Sequence, residues 1–580
     1  MTASRIAIGF VLISSALSWR ASVAQETFRS QVVVCQEGEA ALAGREVLRR
    51  GGNAIDSAIA TAFALAVTHP AAGNIGGGGF IVAYLAGSRE VVTVDFREMA
   101  PKASTETMYL GPDGLPKPGH RKGPRAAGVP GTVRGLGLAH ARWGQAPWAD
   151  LVRPAARLAR DGFKVSATLA SGLNSQLFAR RDDADAVPED LGPRGDHLAD
   201  FAASVAAFKK PDGTRWREGD LLIQRDLADT LDRIAANGAD EFYTGDTARK
   251  TVAHMAKLGG VITLDDLAAY QAKVRPPIRG TFKGFDVYGM GPPASGGILI
   301  VQMLNILERF DLKADGPRSP RTLHRVTEAM RRGFYTRATA IADPDFVEVP
   351  VDRLISKQYA DELAKSIGDK ATPSASLAPF PILGAEGAHT THLSTLDAKG
   401  NAVAMTYTLE EGYGSKSVVE GAGYLLNNEM GDFNLVPGRT DATGRIGTPA
   451  NLIAPRKRML SSQSPTIALK DGKVRLVTGS PGGRTIPNTT LWVVLNALEF
   501  GLSPRDAVDA PRTHHPWFPD VLNMEGQSWD AATREALTSM GHKLKVGGIQ
   551  GDAHTIVVDP DGTIHGVADR RRRTSRAEGD

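Results

Sequence analysis

Three short segments of the chain contain either two adjacent hydroxyl side chains or a pair of glycines. They are Gly387-Ala-His-Thr390-Thr391-His392, Met459-Leu-Ser-Ser-Gln-Ser-Pro465 and Gly479-Ser-Pro-Gly-Gly483. A threonine hydroxyl acts as a nucleophile when a base lies beside it, and glycine lets a backbone N–H approach a reacting group closely. Each segment also has an ordinary structural explanation, because paired threonines favour β-structure and Gly-Gly pairs make turns. The segments alone leave a catalytic and a structural role open for Thr390.

Other common catalytic motifs are absent or incomplete. None of the 13 histidines belongs to a His-Glu-x-x-His zinc motif. The segment Gly412-Tyr-Gly-Ser-Lys-Ser417 has the wrong glycine spacing for a phosphate loop, and Ser480 lacks the first glycine of a nucleophile elbow. Cys35 is the only cysteine, which excludes an intrachain disulfide and a thiolate metal cluster. Its valine-rich surroundings predict a small buried residue.

The charge of the chain does not indicate a nucleic-acid or membrane-surface partner. The formal net charge is +4 over 580 residues, which is small and evenly spread. One basic run, Arg570 to Arg573, stands near the C-terminus. We interpret this run as a solvated tail.

The first residues are typical of a secretory signal. Arg5 precedes a short apolar run from Ile6 to Leu17, and small residues lead to a plausible cleavage point before Gln25. The run is too short to span a bilayer. We therefore expect residues 1–24 to be removed and the mature protein to be secreted or periplasmic, with no stable membrane insertion.

Sequence periodicity predicts the elements that position the three segments. A helix from about Ala54 to Val67 has no polar face and should be buried. The middle of the chain, from about Val133 to Leu363, is predicted to be mainly helical, with a loop near Asp182 to Asp196. Strands are predicted at 32–34, 80–85, 91–96, 391–396, 402–409, 466–469, 474–478, 555–558 and 563–567. Hairpins combined with buried helices predict a layered α/β sandwich.

Eleven short stretches stand in order along the chain: Gly51-Gly-Asn-Ala-Ile-Asp56, Asn74-Ile-Gly-Gly-Gly-Gly-Phe80, Asp95-Phe-Arg-Glu-Met-Ala-Pro101, Val129-Pro-Gly-Thr-Val133, Leu158-Ala-Arg-Asp-Gly-Phe163, Pro292-Pro-Ala-Ser-Gly-Gly297, Thr390-Thr-His392, Leu426-Asn-Asn-Glu-Met430, Leu460-Ser-Ser462, Gly479-Ser-Pro-Gly-Gly483 and Ala510-Pro-Arg512. With these stretches the chain resembles the γ-glutamyltransferase family from about residue 30 to residue 570. Each stretch is weak alone, but their joint order and spacing are specific.

The resemblance implies an α/β (α+β) fold, the four-layer αββα sandwich of the N-terminal-nucleophile hydrolases. It implies that one inactive chain cuts itself between His389 and Thr390. A large subunit, 25–389, and a small catalytic subunit, 390–580, would then form one heterodimer with a shared core. The new α-amine of Thr390 would act as the base beside its own hydroxyl, so cleavage would also activate the enzyme.

The same resemblance implies the roles of the site residues. Thr390 is the expected nucleophile, Thr408 the threonine that hydrogen-bonds it, and the N–H groups of Gly482 and Gly483 the oxyanion donors. The residues expected to bind the glutamyl end of the substrate are Arg97, Ser461 and Ser462 for its α-carboxylate, Asp432 for its α-ammonium, and Glu429 and Glu410 as polar neighbours of Asp432. A forked guanidinium suits a planar carboxylate. The alternative for Arg97 is a surface ion pair with Glu98.

The implied activity is cleavage of the γ-glutamyl bond of glutathione and related compounds through a threonine ester. Water or an amino acid or dipeptide acceptor would take up the glutamyl group, and no cofactor or metal is expected. The segment from Arg439 to Ala454 keeps the length of the loop that covers the site in many members, and we expect it to cover the site here. Thr443 stands in this loop where some members place an aromatic, so we expect hydrolysis to compete strongly with transfer. Two alternatives remain: a glutaryl or cephalosporin acylase of the same fold, against which Asp432 and Glu429 argue, and an inactive periplasmic binding homologue.

Overall fold

The computed structural model describes residues 26–178, 197–377, 389–440, 446–526 and 528–580. The predicted signal segment 1–24, the predicted loop near Asp182 to Asp196, and Thr443 lie outside the described residues. None of the helices in the described part of the chain is long and apolar enough to cross a membrane.

The strands and helices of the described residues are numbered in chain order. The strands are β1 (Thr27–Phe28), β2 (Val32–Cys35), β3 (Gly78–Leu85), β4 (Glu90–Asp95), β5 (Phe163–Lys164), β6 (Leu221–Leu222), β7 (Lys273–Arg275), β8 (Ile278–Phe282), β9 (Phe285–Gly289), β10 (His389–Leu396), β11 (Ala402–Glu410), β12 (Thr466–Lys470), β13 (Lys473–Thr478), β14 (Thr513–His514), β15 (Leu522–Met524), β16 (Leu544–Val546), β17 (His554–Val558), β18 (Ile564–Ala568) and β19 (Arg576–Gly579). The helices are α1 (Gly38–Arg49), α2 (Ala54–Thr68), α3 (Thr132–Trp143), α4 (Trp148–Asp161), α5 (Ala167–Leu177), α6 (Ala202–Phe208), α7 (Arg225–Asn237), α8 (Asp240–Thr244), α9 (Asp246–Leu258), α10 (Leu264–Ala269), α11 (Gly296–Leu307), α12 (Leu312–Asp315), α13 (Pro320–Ala340), α14 (Val351–Leu354), α15 (Lys357–Lys365), α16 (Ile486–Val494), α17 (Pro504–Asp509) and α18 (Ala531–Ser539).

Two seven-stranded sheets carry the architecture. The first has the order β19-β2-β10-β11-β3-β4-β7, and the second has the order β1-β18-β17-β13-β12-β9-β8. All the strand pairs in both sheets are antiparallel. Strand β10, which begins with His389 and Thr390, lies near the centre of the first sheet, between β2 and β11.

The two sheets pack face to face, and helices cover both outer faces. Side chains such as Val34, Phe80 and Ile467 fill the space between the sheets. Helices α1 and α2 contact the outer face of the first sheet, whereas α11 and α16 contact the outer face of the second. The layers follow the order helix, sheet, sheet, helix, which confirms the predicted αββα sandwich.

Local sequence explains why α2 lies at the centre of one helical layer. All 15 residues of α2 are buried, as its almost wholly apolar composition predicted. Its first turn is fixed by a capping box, in which the Asn53 side chain accepts from the Asp56 N–H and the Asp56 side chain accepts from the Asn53 N–H.

The middle of the chain is mainly helical, as predicted, but it also contains the hairpin of β8 and β9. Another interpretation of the sequence was wrong in part. The basic run is not simply a solvated tail, because Arg571 forms ion pairs with Glu525 at 2.5 Å and with Asp569 at 3.1 Å. The chain then continues into β19, which pairs with β2 at the edge of the first sheet. Buried partners therefore fix the C-terminal segment in the fold.

Candidate active site

A β-bulge sets the position of Thr390 at the start of β10. His389 pairs with Glu410 and Thr391 pairs with Tyr407, so β11 has one extra residue opposite Thr390. Such a bulge bends a strand and redirects a side chain. Thr390 is 7% exposed and lines a cavity, whereas Thr391 is fully buried and donates to Gln36 Oε1 at 2.9 Å. Of the two threonines, Thr390 is thus the one whose side chain reaches a cavity.

Thr408 connects the nucleophile candidate to the bulged strand. The Thr390 hydroxyl lies 3.4 Å from the Thr408 hydroxyl, which also accepts a hydrogen bond from the Glu410 N–H at 2.8 Å. Glu410 has φ = +79°, a conformation that non-glycine residues adopt at a cost of about 1–3 kcal/mol. Its carboxylate accepts from Asn428 Nδ2 at 3.2 Å. The strained backbone directs an N–H onto the oxygen beside the candidate nucleophile.

Arg97 is the centre of a buried charge cluster. It is 1% exposed, so the alternative of a surface ion pair is wrong, although Glu98 does lie 3.5 Å away. Its guanidinium donates to Glu429 Oε1 and, at 2.5 Å, to Asp432 Oδ2. The Asp432 side chain remains 21% exposed. Positive and negative groups are therefore in contact in one wall of the site, and Asp432 is the acid nearest to solvent.

Three acids share the one guanidinium of Arg97. Burial opposes the charge on Arg97, but Glu429, Glu98 and Asp432 outweigh this effect and raise its pKa. Burial raises the pKa of Glu98 to about 7, with Arg97 acting in the opposite direction. Burial also raises the pKa of Glu429 well above its ordinary value. Since Glu98 Oε1 and Glu429 Oε2 accept no hydrogen bond from the described residues, this cluster retains acceptor capacity.

The serine and glycine segments reach the site from the second sheet. The first residue of β12, Thr466, pairs with the last residue of β13, Thr478. The segment that precedes β12 and the segment that follows β13 therefore leave the sheet at the same edge. Ser461 and Ser462 lie on the first of these segments, and both line the cavity that contains Thr390.

The glycine pair forms the turn that leads into α16. Gly482 has φ = +136° and Gly483 has φ = +54°, which glycine tolerates better than other residues. The Gly482 carbonyl accepts from the Thr485 N–H at 3.1 Å and from Oγ1 of the same residue at 2.9 Å. Gly483 lines the cavity and Gly482 precedes it without lining it. The two N–H groups lie at a helix N-terminus, where the helix dipole favours negative charge.

One cavity brings the predicted residues together. Nine of the ten predicted catalytic and substrate-binding residues line it, Gly482 being the exception. Those nine are Arg97, Thr390, Thr408, Glu410, Glu429, Asp432, Ser461, Ser462 and Gly483. A larger cavity of about 660 Å³ between α1 and α4 contains none of them. The smaller cavity is therefore the candidate active site.

The chain is similar to known proteins over nearly its whole length. The gamma-glutamyltranspeptidase family model matches residues 40–579. The chain belongs to this family. It is 42% identical to a glutathione hydrolase proenzyme of Escherichia coli (strain K12), over 93% of this chain and 90% of that protein. It is 36% identical to the Acylase ACY 1 proenzyme of Pseudomonas sp. (strain SE83), over 93% and 91%. Among solved structures, cephalosporin acylase from Bacillus halodurans superposes with a TM-score of 0.82 at 26% identity, covering 98% of this chain and 99% of that one.

Sequence reasoning missed four residues that line the cavity of this gamma-glutamyltranspeptidase family member: Arg337, Gln463, Arg484 and Ile486. Gln463 and Arg484 directly follow the Ser-Ser and Gly-Gly motifs, so their positions were available as a signal. Arg337 gave no such signal, because it lies in the last turn of α13, far from every motif.

Within the described part of the chain, one group of three side chains could hold a metal ion: His324, Glu328 and His542. It lies outside the candidate active site. His324 Nδ1 and His542 Nε2 are already hydrogen-bonded at 2.9 Å. The Glu328 carboxylate accepts from Arg331 at 3.2 Å and from Arg332 at 2.6 Å. These two cations oppose a further positive charge, so the group does not fit a metal site.

The loop expected to cover the site is described only in part. Thr443, on which the balance of hydrolysis and transfer was predicted to depend, lies outside the described residues. The flanking segments are tied together, since the Gly438 N–H donates to the Gly447 carbonyl at 2.8 Å and the Gly447 N–H donates to Thr440 Oγ1 at 3.1 Å. The ends of this loop are thus held near each other.

Proposed function

We propose that this protein is a self-processing γ-glutamyltransferase that cleaves glutathione and related compounds through a γ-glutamyl-threonine ester. The observation that carries the proposal is the single cavity in which Thr390 meets both the Arg97 cation and the acids Glu429 and Asp432. A γ-glutamyl group ends in an ammonium and a carboxylate, and only a site with charges of both signs pairs with each of them.

The binding step uses the charge cluster. Arg97 donates to the α-carboxylate of the donor together with the hydroxyls of Ser461 and Ser462. Asp432 and Glu429 accept from the α-ammonium, for which Glu429 Oε2 has acceptor capacity. Without a ligand, Arg97 pairs with these two acids. When the donor binds, its α-carboxylate takes the place of the acids beside Arg97, and its α-ammonium takes the place of Arg97 beside the acids. A glutaryl donor lacks the ammonium, which disfavours the acylase alternative.

The chemical step begins at Thr390. Its hydroxyl attacks the γ-carbonyl carbon, and the proton moves to the α-amine of the same residue. The N–H groups of Gly482 and Gly483 stabilise the resulting oxyanion, each by about 3–4 kcal/mol as is typical of such donors. Collapse of the tetrahedral intermediate breaks the amide bond, and the amine leaves with the proton. Water or an acceptor amine then resolves the ester.

Maturation accounts for the free amine. We propose that the Thr390 hydroxyl attacks the carbonyl carbon of His389 and that the peptide bond between His389 and Thr390 then breaks, which leaves an ester and frees the α-amine of Thr390. Water then hydrolyses the ester, which leaves subunits 25–389 and 390–580. The two subunits should stay together as a heterodimer, because both contribute strands to both seven-stranded sheets. The signal segment 1–24 would direct the protein out of the cytoplasm, to the periplasm or beyond.

The test compares the wild type with Thr390→Ala, expressed and purified in parallel. The wild type should yield two bands on a denaturing gel, with the small subunit beginning at Thr390 by N-terminal sequencing, and should hydrolyse γ-glutamyl-p-nitroanilide. Thr390→Ala should remain one inactive chain. A small subunit that begins elsewhere would refute the cleavage site. Faster turnover of glutaryl-p-nitroanilide than of the γ-glutamyl compound would favour the acylase, and an uncut inactive wild type would favour the binding homologue.

A further inference from the structure

Gln463 lines the active-site cavity, and its side-chain amide has no hydrogen-bond partner among the described residues. It is 2% exposed, and neither its Nε2 nor its Oε1 bonds any described residue. A primary amide carries two donors and one acceptor oxygen. Buried polar groups are normally paired, and leaving them unpaired destabilises the folded protein. A ligand that offers both an acceptor and a donor would satisfy this side chain.

The surroundings of Gln463 indicate which end of the ligand it meets. It follows Ser461 and Ser462 on the segment before β12, and its N–H donates to Ser461 Oγ at 3.2 Å. Arg97 donates to two carbonyls of the same segment, Met459 O and Leu460 O, both at 3.3 Å. Gln463 and the buried guanidinium of Arg97 therefore belong to the same wall of the cavity. This is the wall proposed to bind the α-amino-carboxylate end of the donor.

We propose that Gln463 is a specificity-determining residue that contacts both charged groups of that end. Its Nε2 donates to the α-carboxylate, and its Oε1 accepts from the α-ammonium. The inference deepens the proposed function and rests on it for the identity of the donor. A glutaryl end has the carboxylate without the ammonium, so it satisfies Nε2 and leaves Oε1 unpaired. Gln463 thereby favours γ-glutamyl over glutaryl donors.

The test is Gln463→Met, which keeps side-chain length and approximate volume and removes both polar ends. We expect kcat/KM for γ-glutamyl-p-nitroanilide to fall about tenfold or more, as for the loss of hydrogen bonds to charged groups. For glutaryl-p-nitroanilide we expect a smaller fall. Without ligand, Gln463→Met should also melt at a higher temperature than the wild type, because an apolar group has replaced a buried amide that has no hydrogen-bond partner among the described residues. A merely structural amide would give the opposite shift in melting temperature.

Gln302 provides the matched control. It is buried in α11, outside the cavity, with Oε1 likewise unpaired, but its Nε2 donates to Leu354 O at 3.2 Å. Gln302→Met should leave the preference between the two anilides unchanged and should not raise the melting temperature. Unchanged kinetics in Gln463→Met, or equal losses for both anilides, would overturn the proposal, as would an equal change of preference in Gln302→Met.

A binding measurement separates this inference from the proposed function. L-Glutamate should raise the melting temperature of the wild type more than glutarate does, and Gln463→Met should abolish the difference. If the wild type fails to turn over γ-glutamyl-p-nitroanilide but keeps this Gln463-dependent difference, the function fails and the role of Gln463 stands. If turnover is present and the difference survives in Gln463→Met, the function stands and the role of Gln463 fails.

Discussion

Replacing Arg97 by Met should affect folding and catalysis by separate routes. The substitution keeps an aliphatic side chain and removes the cation that three acids share. Glu429, only 1% exposed, would lose its only ion-pair partner among the described residues. Asp432 would lose a contact too, but its 21% exposure lets water replace part of it. The main loss of stability therefore comes from the buried Glu429.

The magnitudes follow from these contacts. Removing one partner of a buried ion pair typically costs about 3–5 kcal/mol, because the other charge stays buried without compensation. The protein relieves part of this cost by protonating Glu429, whose pKa burial already raises. For the substrate, loss of a charge-assisted contact of about 2–3 kcal/mol corresponds to a roughly 30- to 150-fold fall in kcat/KM. Self-cleavage should persist, because the precursor holds no bound glutamyl group.

A double-mutant cycle with Glu429→Gln tests this reasoning. Unfolding free energies are measured in urea for the wild type, both single variants and the double variant, with γ-glutamyl-p-nitroanilide kinetics alongside. The double variant should lose less unfolding free energy than the two single variants lose together, since it has no buried Glu429 carboxylate left without an ion-pair partner. Additive unfolding free energies would show that the pair is not coupled. Unchanged kinetics in Arg97→Met would remove Arg97 from the substrate site.

Three further results are expected. Thr408→Val removes the hydroxyl beside Thr390 and should lower kcat by about 10- to 100-fold, as for the loss of one positioned hydrogen bond. The measurement is the turnover of γ-glutamyl-p-nitroanilide by a fully cleaved sample, and an unchanged kcat would contradict the role of Thr408. Because the folded-state pKa of Glu98 is raised to about 7, the folded state holds the extra proton and stability should fall as pH rises from about 4.5 to 7; Glu98→Gln should therefore stabilise the protein more at pH 8 than at pH 5 in thermal unfolding. Cys35 is fully buried, and burial raises its pKa to about 12, so a thiol reagent should label it only in denaturant, and rapid labelling of the native protein would refute that assignment.

The elements that the sequence predicted best have strong local signals. The Asp471-Gly472 turn links β12 and β13, and both residues have positive φ, as a two-residue hairpin requires. The hairpin of β8 and β9 has an equivalent turn at Lys283-Gly284, also with positive φ, but it was overlooked within a region predicted to be mainly helical. The role of Arg571 could not be predicted, because its partner Glu525 lies 46 positions away along the chain.

The resemblance predicted nine of the residues that line the cavity. The family resemblance placed Thr390, Asp432 and Ser461 in one site, and the cavity contains all three. The resemblance did not predict how the charges pair in the free site, where Arg97 contacts Asp432 directly. That pairing depends on side-chain geometry across segments far apart in sequence. Arg337 shows the same limit, since only the packing of α13 brings it to the cavity.

The position of β10 relates folding to the proposed self-cleavage. Thr390 lies opposite a bulge in β11, and β10 is also paired with β2 on its other side. The segment before residue 390 supplies β2, whereas β11 follows it, so the hydroxyl is set in place only when strands from both sides of the scissile bond have joined the first sheet. The oxyanion candidates come from the second sheet, after β13. The proposed nucleophile on one sheet and the proposed oxyanion donors of the other meet only after both sheets have packed. Folding of the whole sandwich should therefore precede self-cleavage, and the paired strands should hold the two subunits together afterwards.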